Sequence, residues 1–186
     1  MEIVDVQPES HSTLRERVFS LRYSIYIEEF KLPLRSIGRQ LSDGLDDYST
    51  NFLLHGEGSD VGTLRLTDAR KGQMEFETQS DRWFNISNER RNEGIRVAEF
   101  TRLMVRNDYR GRNSAKFLIQ HGLRFCASQG INLALFAGKR GELVRYFQGF
   151  GATVVDTIPQ QYKIDDHTMG LYYLMGTSIE TTQADS

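Results

Sequence analysis

Residues 105–115 read VRNDYRGRNSA, and within this stretch the sequence pattern changes from that of a β-strand to that of an α-helix. Apolar residues alternate from Ile95 to Val105, whereas Leu118 and Phe125 further on share one helical stripe that closes at Gly130. The first turn of a helix has unpaired N–H groups and a partial positive charge, so it attracts anions. The stretch predicts a strand–loop–helix unit with an anion site. A capped helix start with solvated arginines fits it equally well.

The remainder of the chain alternates between strand and helix patterns. Strands are predicted at 3–6, 52–55, 61–66, 132–137, 152–155 and 169–175, and helices at 12–27, 113–129 and 141–148. Ser10 or Ser12 is expected to cap the first helix, and residues 70–94 are expected to form a polar, irregular excursion. This order predicts an α/β (α+β) fold with a mixed central β-sheet flanked by helices. We expect one domain over 1–176 and a disordered tail over 177–186.

Composition narrows the classes of function. The chain has 186 residues and a formal net charge of −2, which disfavours a nucleic-acid partner. Its single cysteine fits a reducing compartment, and no apolar run is long enough to span a membrane, so we expect a cytoplasmic protein without membrane insertion. The four histidines lack metal-ligand spacing, so no metal site is expected.

The loop RGRNSA at 110–115 resembles the pyrophosphate loop R-x-x-G-x-G/A of the GCN5-related N-acetyltransferase (GNAT) superfamily. Asn113 replaces the central glycine, and asparagine tolerates the left-handed conformation best among the other residues. The stretch ELVRYFQGFGA at 142–152 resembles a later helix of the superfamily, but Phe147 stands where the tyrosine that protonates the leaving thiolate is usual. Tyr146 is turned about 100° away along a helix. We therefore expect no tyrosine general acid.

This resemblance implies a splayed central strand and an acyl-phosphopantetheine donor, carried by an acyl carrier protein or by coenzyme A. Backbone N–H groups around Leu103 to Val105 would stabilise the oxyanion. The implied donor-binding residues are Arg106, Arg110, Gly111, Arg112, Asn113, Ser114 and Ala115.

Three arginines and three acids elsewhere fall on elements expected to converge. They are Arg22, Asp43, Asp46, Arg65, Glu99 and Arg102. For any one of them alone, a structural ion-pair network is the simpler interpretation. Strict alternation along residues 95–105 places Glu99 and Thr101 on one face and Arg102 on the other, unless a bulge shifts the register.

Together these six positions resemble the acyl-homoserine-lactone synthases and the related N-acyl amino acid synthases, such as the N-acyl tyrosine synthases. The resemblance implies a catalytic set of Glu99 as general base with Arg102, Leu103 and Val105, and an acceptor-binding set of Arg22, Asp43, Asp46 and Arg65. Lactone synthases usually carry Phe and Trp where this chain has Tyr26 and Leu32. That difference favours an amino acid acceptor over S-adenosylmethionine.

We therefore expect an N-acyltransferase that forms an N-acyl amino acid, a product class related to quorum-sensing signals. The alternatives are a lactone synthase that uses S-adenosylmethionine, an acetyl-CoA-dependent N-acetyltransferase of small amines, and a non-catalytic module that binds acyl-thioesters.

Overall fold

The computed structural model describes residues 1–34, 36–78, 80–138, 141–159 and 171–180. Its strands are β1 (Glu2–Val6), β2 (Thr50–Gly56), β3 (Ser59–Asp68), β4 (Val97–Val105), β5 (Leu133–Gly138), β6 (Thr153–Pro159) and β7 (Leu171–Ser178). Its α-helices are α1 (Ser12–Tyr23), α2 (Asp81–Asn92), α3 (Ser114–Ser128) and α4 (Gly141–Gln148). The start of the predicted strand at 169–175 and most of the predicted tail lie outside the described residues.

The strands form a seven-stranded mixed sheet in the order β1-β2-β3-β4-β5-β7-β6, which confirms the predicted α/β fold with helices around a mixed sheet. β1 pairs with β2, and β2 with β3, in antiparallel fashion. β5 and β6 both pair antiparallel with β7, whereas β4 and β5 run parallel. The residues fall into two compact units, Met1–Thr67 with Thr101–Phe125, and Asp68–Phe100 with Cys126–Ser186.

The first unit is built around α1, which begins one residue after a histidine cap. The side chain of His11 accepts a hydrogen bond from the backbone N–H of Thr13, so the predicted serine cap was wrong. The predicted helix at 12–27 continues beyond Tyr23 as a π-helix, Ser24–Glu29. The apolar face of these helices packs into a core with the first strands, formed by Val6, Val18, Phe19, Leu21, Ile25, Leu53 and Met104.

The second unit corrects the expectation that residues 70–94 are irregular. They contain a short 3₁₀ helix, Phe76–Thr78, and the helix α2, whose N-cap Ser80 accepts a hydrogen bond from the N–H of Arg82. Trp83 is fully buried in a core with Met74 and Phe76, and its indole N–H donates to Asp156 Oδ2 at 2.9 Å. Polar residues dominate the sequence of α2 because most of its surface is exposed. The helix was not predicted because this composition gives a weak apolar pattern.

Strand β4 contains one extra residue relative to its neighbour β3. The carbonyl of Val61 accepts from the N–H of Arg106 (2.9 Å), and the N–H of Ala69 donates to the carbonyl of Val97 (3.0 Å). Eight residues separate these points along β3 but nine along β4, so β4 carries a β-bulge. Arg102 marks it with a φ of +52°, a conformation that costs a residue with a side chain about 1–3 kcal/mol.

The pairing of β4 with β5 covers four residue pairs, from Val97↔Leu133 to Phe100↔Phe136. The pairing of β5 with β7 extends further, through Ala137 and Gly138. The register of β4 with β5 therefore ends two residues before the bulge. No helix in the described part of the chain has both the length and the hydrophobicity of a membrane-spanning segment.

Candidate active site

A buried pair between α1 and the loop before β2 forms the inner part of the candidate site. Arg22 donates from Nη1 to both carboxylate oxygens of Asp46, at 2.8 and 2.9 Å, and from Nη2 to the side-chain oxygen of Asn51. Both side chains of the ion pair are only 1% exposed. Burial lowers the pKa of Arg22, and the carboxylate of Asp46 partly offsets this effect. Such a charge is tolerated in the interior only because it is paired.

Asp43 joins two further arginines to this pair. Its Oδ1 accepts from Arg65 Nη1 at 2.6 Å, and its Oδ2 accepts from Arg102 Nη2 at 2.8 Å. Asp43 also caps the 3₁₀ helix Gly44–Asp47, with Asp46 accepting in return from the backbone N–H of Asp43 at 3.0 Å. This reciprocal capping box fixes the two acids relative to each other, which explains why their three-residue spacing carries information.

The electrostatics of Asp43 follow from its neighbours. Burial by itself would raise the pKa of Asp43, but the positive charges and hydrogen bonds of Arg65 and Arg102 outweigh it and hold the pKa below its ordinary value. Asp43 is therefore a carboxylate at neutral pH.

Exposure divides the network into an inner and an outer part. The side chains of Arg22, Asp46 and Arg65 are at most 1% exposed, whereas those of Asp43 and Arg102 are 33% and 23% exposed. The guanidinium of Arg102 also lies 5.8 Å from the ring centroid of Tyr26, within the range of a cation–π contact. Of these five side chains, Asp43 and Arg102 are therefore the two that a ligand could contact from solvent.

The bulge in β4 explains how consecutive residues reach one network. Arg65 Nε donates to Thr101 Oγ1 at 2.9 Å, while Arg102 contacts Asp43. Strict alternation would place Thr101 and Arg102 on opposite faces, so the alternating assignment of this strand fails at the bulge, the exception for which sequence analysis allowed. Gly62, which opens the G-T-L-R motif of β3, permits a close approach, because a Cβ there would lie 2.9 Å from the carbonyl oxygen of Met104.

Five of the six predicted residues thus form a connected network in the first unit: Arg22, Asp43, Asp46, Arg65 and Arg102. The sequence patterns did not indicate Asn51 or the contact of Thr101 with Arg65. Asn51 could have been found, because its polar side chain comes directly before the buried apolar run Phe52 to Leu54 of the same strand. Thr101 could not, because its contact depends on the neighbouring bulge.

The sixth residue, Glu99, is fully buried in the second unit. Its two carboxylate oxygens accept backbone N–H groups at the start of the 3₁₀ helix, from Glu75 at 2.5 Å and from Phe76 at 2.9 Å. Glu99 therefore anchors the 75–78 segment to β4. Its role as a general base stays a prediction.

The predicted phosphate loop connects β4 to α3 and has the backbone conformation that its sequence suggested. Gly111 and Asn113 have φ angles of +75° and +62°, so Asn113 adopts the left-handed conformation. Ser114 is buried and donates from Oγ to the carbonyl of Tyr109 at 3.2 Å, while Ala115 follows it in the first turn of α3. This turn is where an anion would bind.

Each arginine of this loop is paired with a carboxylate. Arg106 contacts Asp108 at 2.6 Å, and Arg112 lies 3.7 Å from Glu57. Arg110 pairs with Glu29 and donates from Nε to the carbonyl of Val105 at 3.0 Å. The carbonyl of Val105 is thus engaged; the role of the N–H groups of Leu103 and Val105 toward an oxyanion stays a prediction.

Phe147, which the resemblance places at the position of the thiolate-protonating tyrosine, is a core residue. Phe147 is 6% exposed and stacks on Phe136 with ring centroids 4.5 Å apart. The neighbouring Tyr146 is partly exposed, and burial of part of its ring raises the pKa of its hydroxyl. Among the described residues, no cluster of His, Cys, Asp and Glu has an arrangement that could hold a metal ion.

The sequence model of the acetyltransferase (GNAT) domain matches residues 21–120, more than half of the chain. The chain belongs to the GNAT family. This family membership makes it an acyltransferase, and coenzyme A thioesters are the co-substrates of the family. No curated protein sequence matches the chain.

Solved structures with the same fold are distant in sequence. BjaI, described as a CoA-dependent acyl-homoserine lactone synthase with SAM and isopentyl-CoA, aligns with a TM-score of 0.71 at 19% identity over 96% of this chain and 83% of its own. An acyl-CoA N-acyltransferase from Pseudomonas aeruginosa gives 0.64 at 15% identity, covering 95% and 99%. ElaA of Escherichia coli gives 0.64 at 16%, covering 94% and 97%. At these identities the likeness concerns the fold alone.

Proposed function

We propose that this protein transfers a fatty acyl group from a phosphopantetheine thioester, borne by an acyl carrier protein or by coenzyme A, to the amine of an amino acid. The observation that carries this proposal is the outer pair of the network, where Asp43 and Arg102 lie 2.8 Å apart and are both partly exposed. An amino acid presents an ammonium group and a carboxylate, which are complementary to this acid–arginine pair. The inner arginines and Asp46 hold the pair in position.

The acceptor nitrogen starts as an ammonium and ends as an amide, so it must lose two protons, and the leaving thiolate must gain one. The ammonium loses a proton, which we assign to Glu99 directly or through a water molecule, and the free amine attacks the thioester carbon. The C–N bond forms, the C–S bond breaks, and backbone N–H groups at Leu103 to Val105 stabilise the oxyanion between these events. The nitrogen loses its second proton to solvent as the tetrahedral intermediate collapses. Because Phe147 stands where the resemblance places the usual tyrosine, the thiolate takes its proton from solvent.

A second candidate is lactone synthesis from S-adenosylmethionine, a molecule that carries the same amino acid group. This candidate is kept because the fold resembles that of BjaI, a protein described as an acyl-homoserine lactone synthase. The replacement of the aromatic residues expected in lactone synthases by Tyr26 and Leu32 favours the amino acid instead.

The product decides between these candidates. Purified protein is incubated with acyl-CoA and acyl-carrier-protein donors of several chain lengths, including acetyl-CoA, and with single amino acids or S-adenosylmethionine, followed by mass spectrometry. Long-chain N-acyl amino acids support the proposal. Lactones, acetyl amides only, or no turnover with any pair would each contradict it.

Two variants link activity to the outer pair. We expect Arg102→Ala to lower kcat/KM for the acceptor by about 10²-fold, because it removes a charge-assisted contact, while the KM for donor changes little. Arg15→Ala is the matched control, since Arg15 forms an exposed ion pair with Asp47 in the same unit. Equal activity of the two variants would remove Arg102 from the site.

A further inference from the structure

Arg110, one of the three arginines of the phosphate loop, has a guanidinium group that contacts several neighbours. Its Nε donates to the carbonyl of Val105 at 3.0 Å, and its Nη1 donates to Asn107 at 3.3 Å. Its Nη2 forms an ion pair with Glu29, and its Cζ lies 4.8 Å from the ring centroid of Phe30. A residue expected to bind donor phosphate is thus engaged by a carboxylate that is distant in sequence.

Glu29 lies at the end of an unusual segment. It is the last residue of the π-helix Ser24–Glu29, and π-helices are rare and concentrated at functional sites. Lys31, two residues further on, has a φ of +56°, which is unfavourable for a residue with a side chain. Phe30 and Leu32 are both largely exposed, so little apolar packing holds the chain immediately after Glu29.

The Arg110–Glu29 pair is also easy to exchange. The side chains are 37% and 30% exposed, and pairs with this exposure contribute little to stability because solvent screens them. A phosphate group offers the guanidinium the same bidentate geometry as a carboxylate and carries more charge. It would also gain from the N-terminus of α3, four residues beyond Arg110.

We propose that Glu29 is a built-in competitor for the donor phosphate: it holds Arg110 when no donor is bound, and the donor displaces it. Displacement releases the segment from Phe30 to Leu34, so donor binding is coupled to the conformation of this segment. The proposal rests on the donor site of the proposed function and adds its regulation. The backbone N–H groups of Phe30 and Leu32 donate to Ile25 and Tyr26 in the structure, so hydrogen exchange can report the release.

Calorimetric titration with coenzyme A tests the competition. We expect Glu29→Gln to lower the Kd for coenzyme A by about two- to fivefold, the range that loss of a partly exposed ion pair allows. Glu28→Gln is the matched control, because Glu28 pairs with Arg39 instead, and it should bind as the wild type does. Arg110→Ala should raise the Kd by roughly tenfold.

The outcomes separate the competition from the donor site itself. If Arg110→Ala weakens binding while Glu29→Gln binds equally or more weakly than wild type, the competition is overturned and the donor site stands. If Arg110→Ala binds coenzyme A as wild type does, the assignment of the phosphate loop falls, and the competition with it. Saturating coenzyme A should accelerate amide exchange at Phe30 and Leu32 in the wild type, and unchanged exchange would overturn the release.

Discussion

Two sets of arginine–carboxylate pairs in the first unit use the same chemistry at very different burial. Arg22 and Asp46 lie 2.8 Å apart with side chains 1% exposed, whereas Arg106 and Asp108 lie 2.6 Å apart with side chains 35% and 54% exposed. Distance therefore does not distinguish them. A buried charge has no water to replace a lost partner, while an exposed one is rehydrated at once. Burial decides which pairs form a fixed framework and which can be exchanged for a ligand.

This difference matches the two tasks of an acyltransferase site. An acceptor must be oriented to attack one carbon atom, which requires a rigid arrangement of charges. A donor held by its phosphates must bind and leave in each cycle, which suits arginines whose resting partners are weak. In the proposed function, the acid–arginine network serves the first task, and the loop of Arg106, Arg110 and Arg112 serves the second.

The largest effect is expected when the buried pair is broken. Asp46→Ala should lower the free energy of unfolding by about 3–5 kcal/mol, because it leaves the Arg22 charge buried and unpaired. Asp47→Ala, in the next residue of the same 3₁₀ helix, removes an exposed partner of Arg15 and should change stability by less than about 1 kcal/mol. Urea unfolding measures both. Equal losses would show that burial does not separate these pairs.

An intermediate loss of stability is expected at Glu99, a buried carboxylate that accepts hydrogen bonds from backbone N–H groups. Glu99→Gln should cost about 1–3 kcal/mol, because the amide replaces one of the two acceptor oxygens that serve Glu75 and Phe76 and leaves a buried N–H unsatisfied. If Glu99 is also the general base, turnover should fall far more than the fraction of folded protein. Stability and kcat are measured on the same preparation. A stability loss with unchanged kcat would assign Glu99 to anchoring alone.

Most of the fold and five residues of the network could be predicted from the sequence, for identifiable reasons. Alternation and turn residues located the β2–β3 hairpin, and Gly130, with a φ of +67°, ends α3 as a C-terminal glycine should. Arg22, Asp43, Asp46, Arg65 and Arg102 were predicted together because their order and spacing resemble those of one family.

The failures have physical causes of their own. Helix α2 was missed because an exposed helix with one buried tryptophan has a weak apolar pattern. The contacts of Thr101 and Arg102 depend on a bulge, which inserts a residue without a sequence signature other than glycine. The pairing of Arg110 with Glu29 joins residues 81 positions apart and follows from the tertiary structure alone.

A smaller effect on stability is expected at Asp43, whose burial is between that of Asp46 and that of Asp108. Because Arg65 and Arg102 hold its folded-state pKa below the ordinary value, Asp43 stabilises the fold above its unfolded pKa. That contribution is lost as the pH falls through the lower, folded-state pKa. Asp43→Asn should therefore show a shallower loss of stability between about pH 5 and pH 2 than the wild type. Identical slopes would mean that the two arginines do not lower this pKa.

The smallest effect on stability is expected at Asp108, which forms the exposed ion pair with Arg106. Asp108→Ala should change the free energy of unfolding by less than about 0.5 kcal/mol, and the change should shrink further between about 0.05 and 0.5 M NaCl, because salt screens exposed charges. Arg106 keeps a hydrogen bond to Ser59 Oγ at 3.1 Å and lies 5.6 Å from the ring centroid of Tyr109, so its position does not depend on Asp108. Urea unfolding at both salt concentrations measures the change. A loss comparable to that of Asp46→Ala would mean that the loop is as fixed as the network, and its arginines would then be poor candidates for a donor that must come and go.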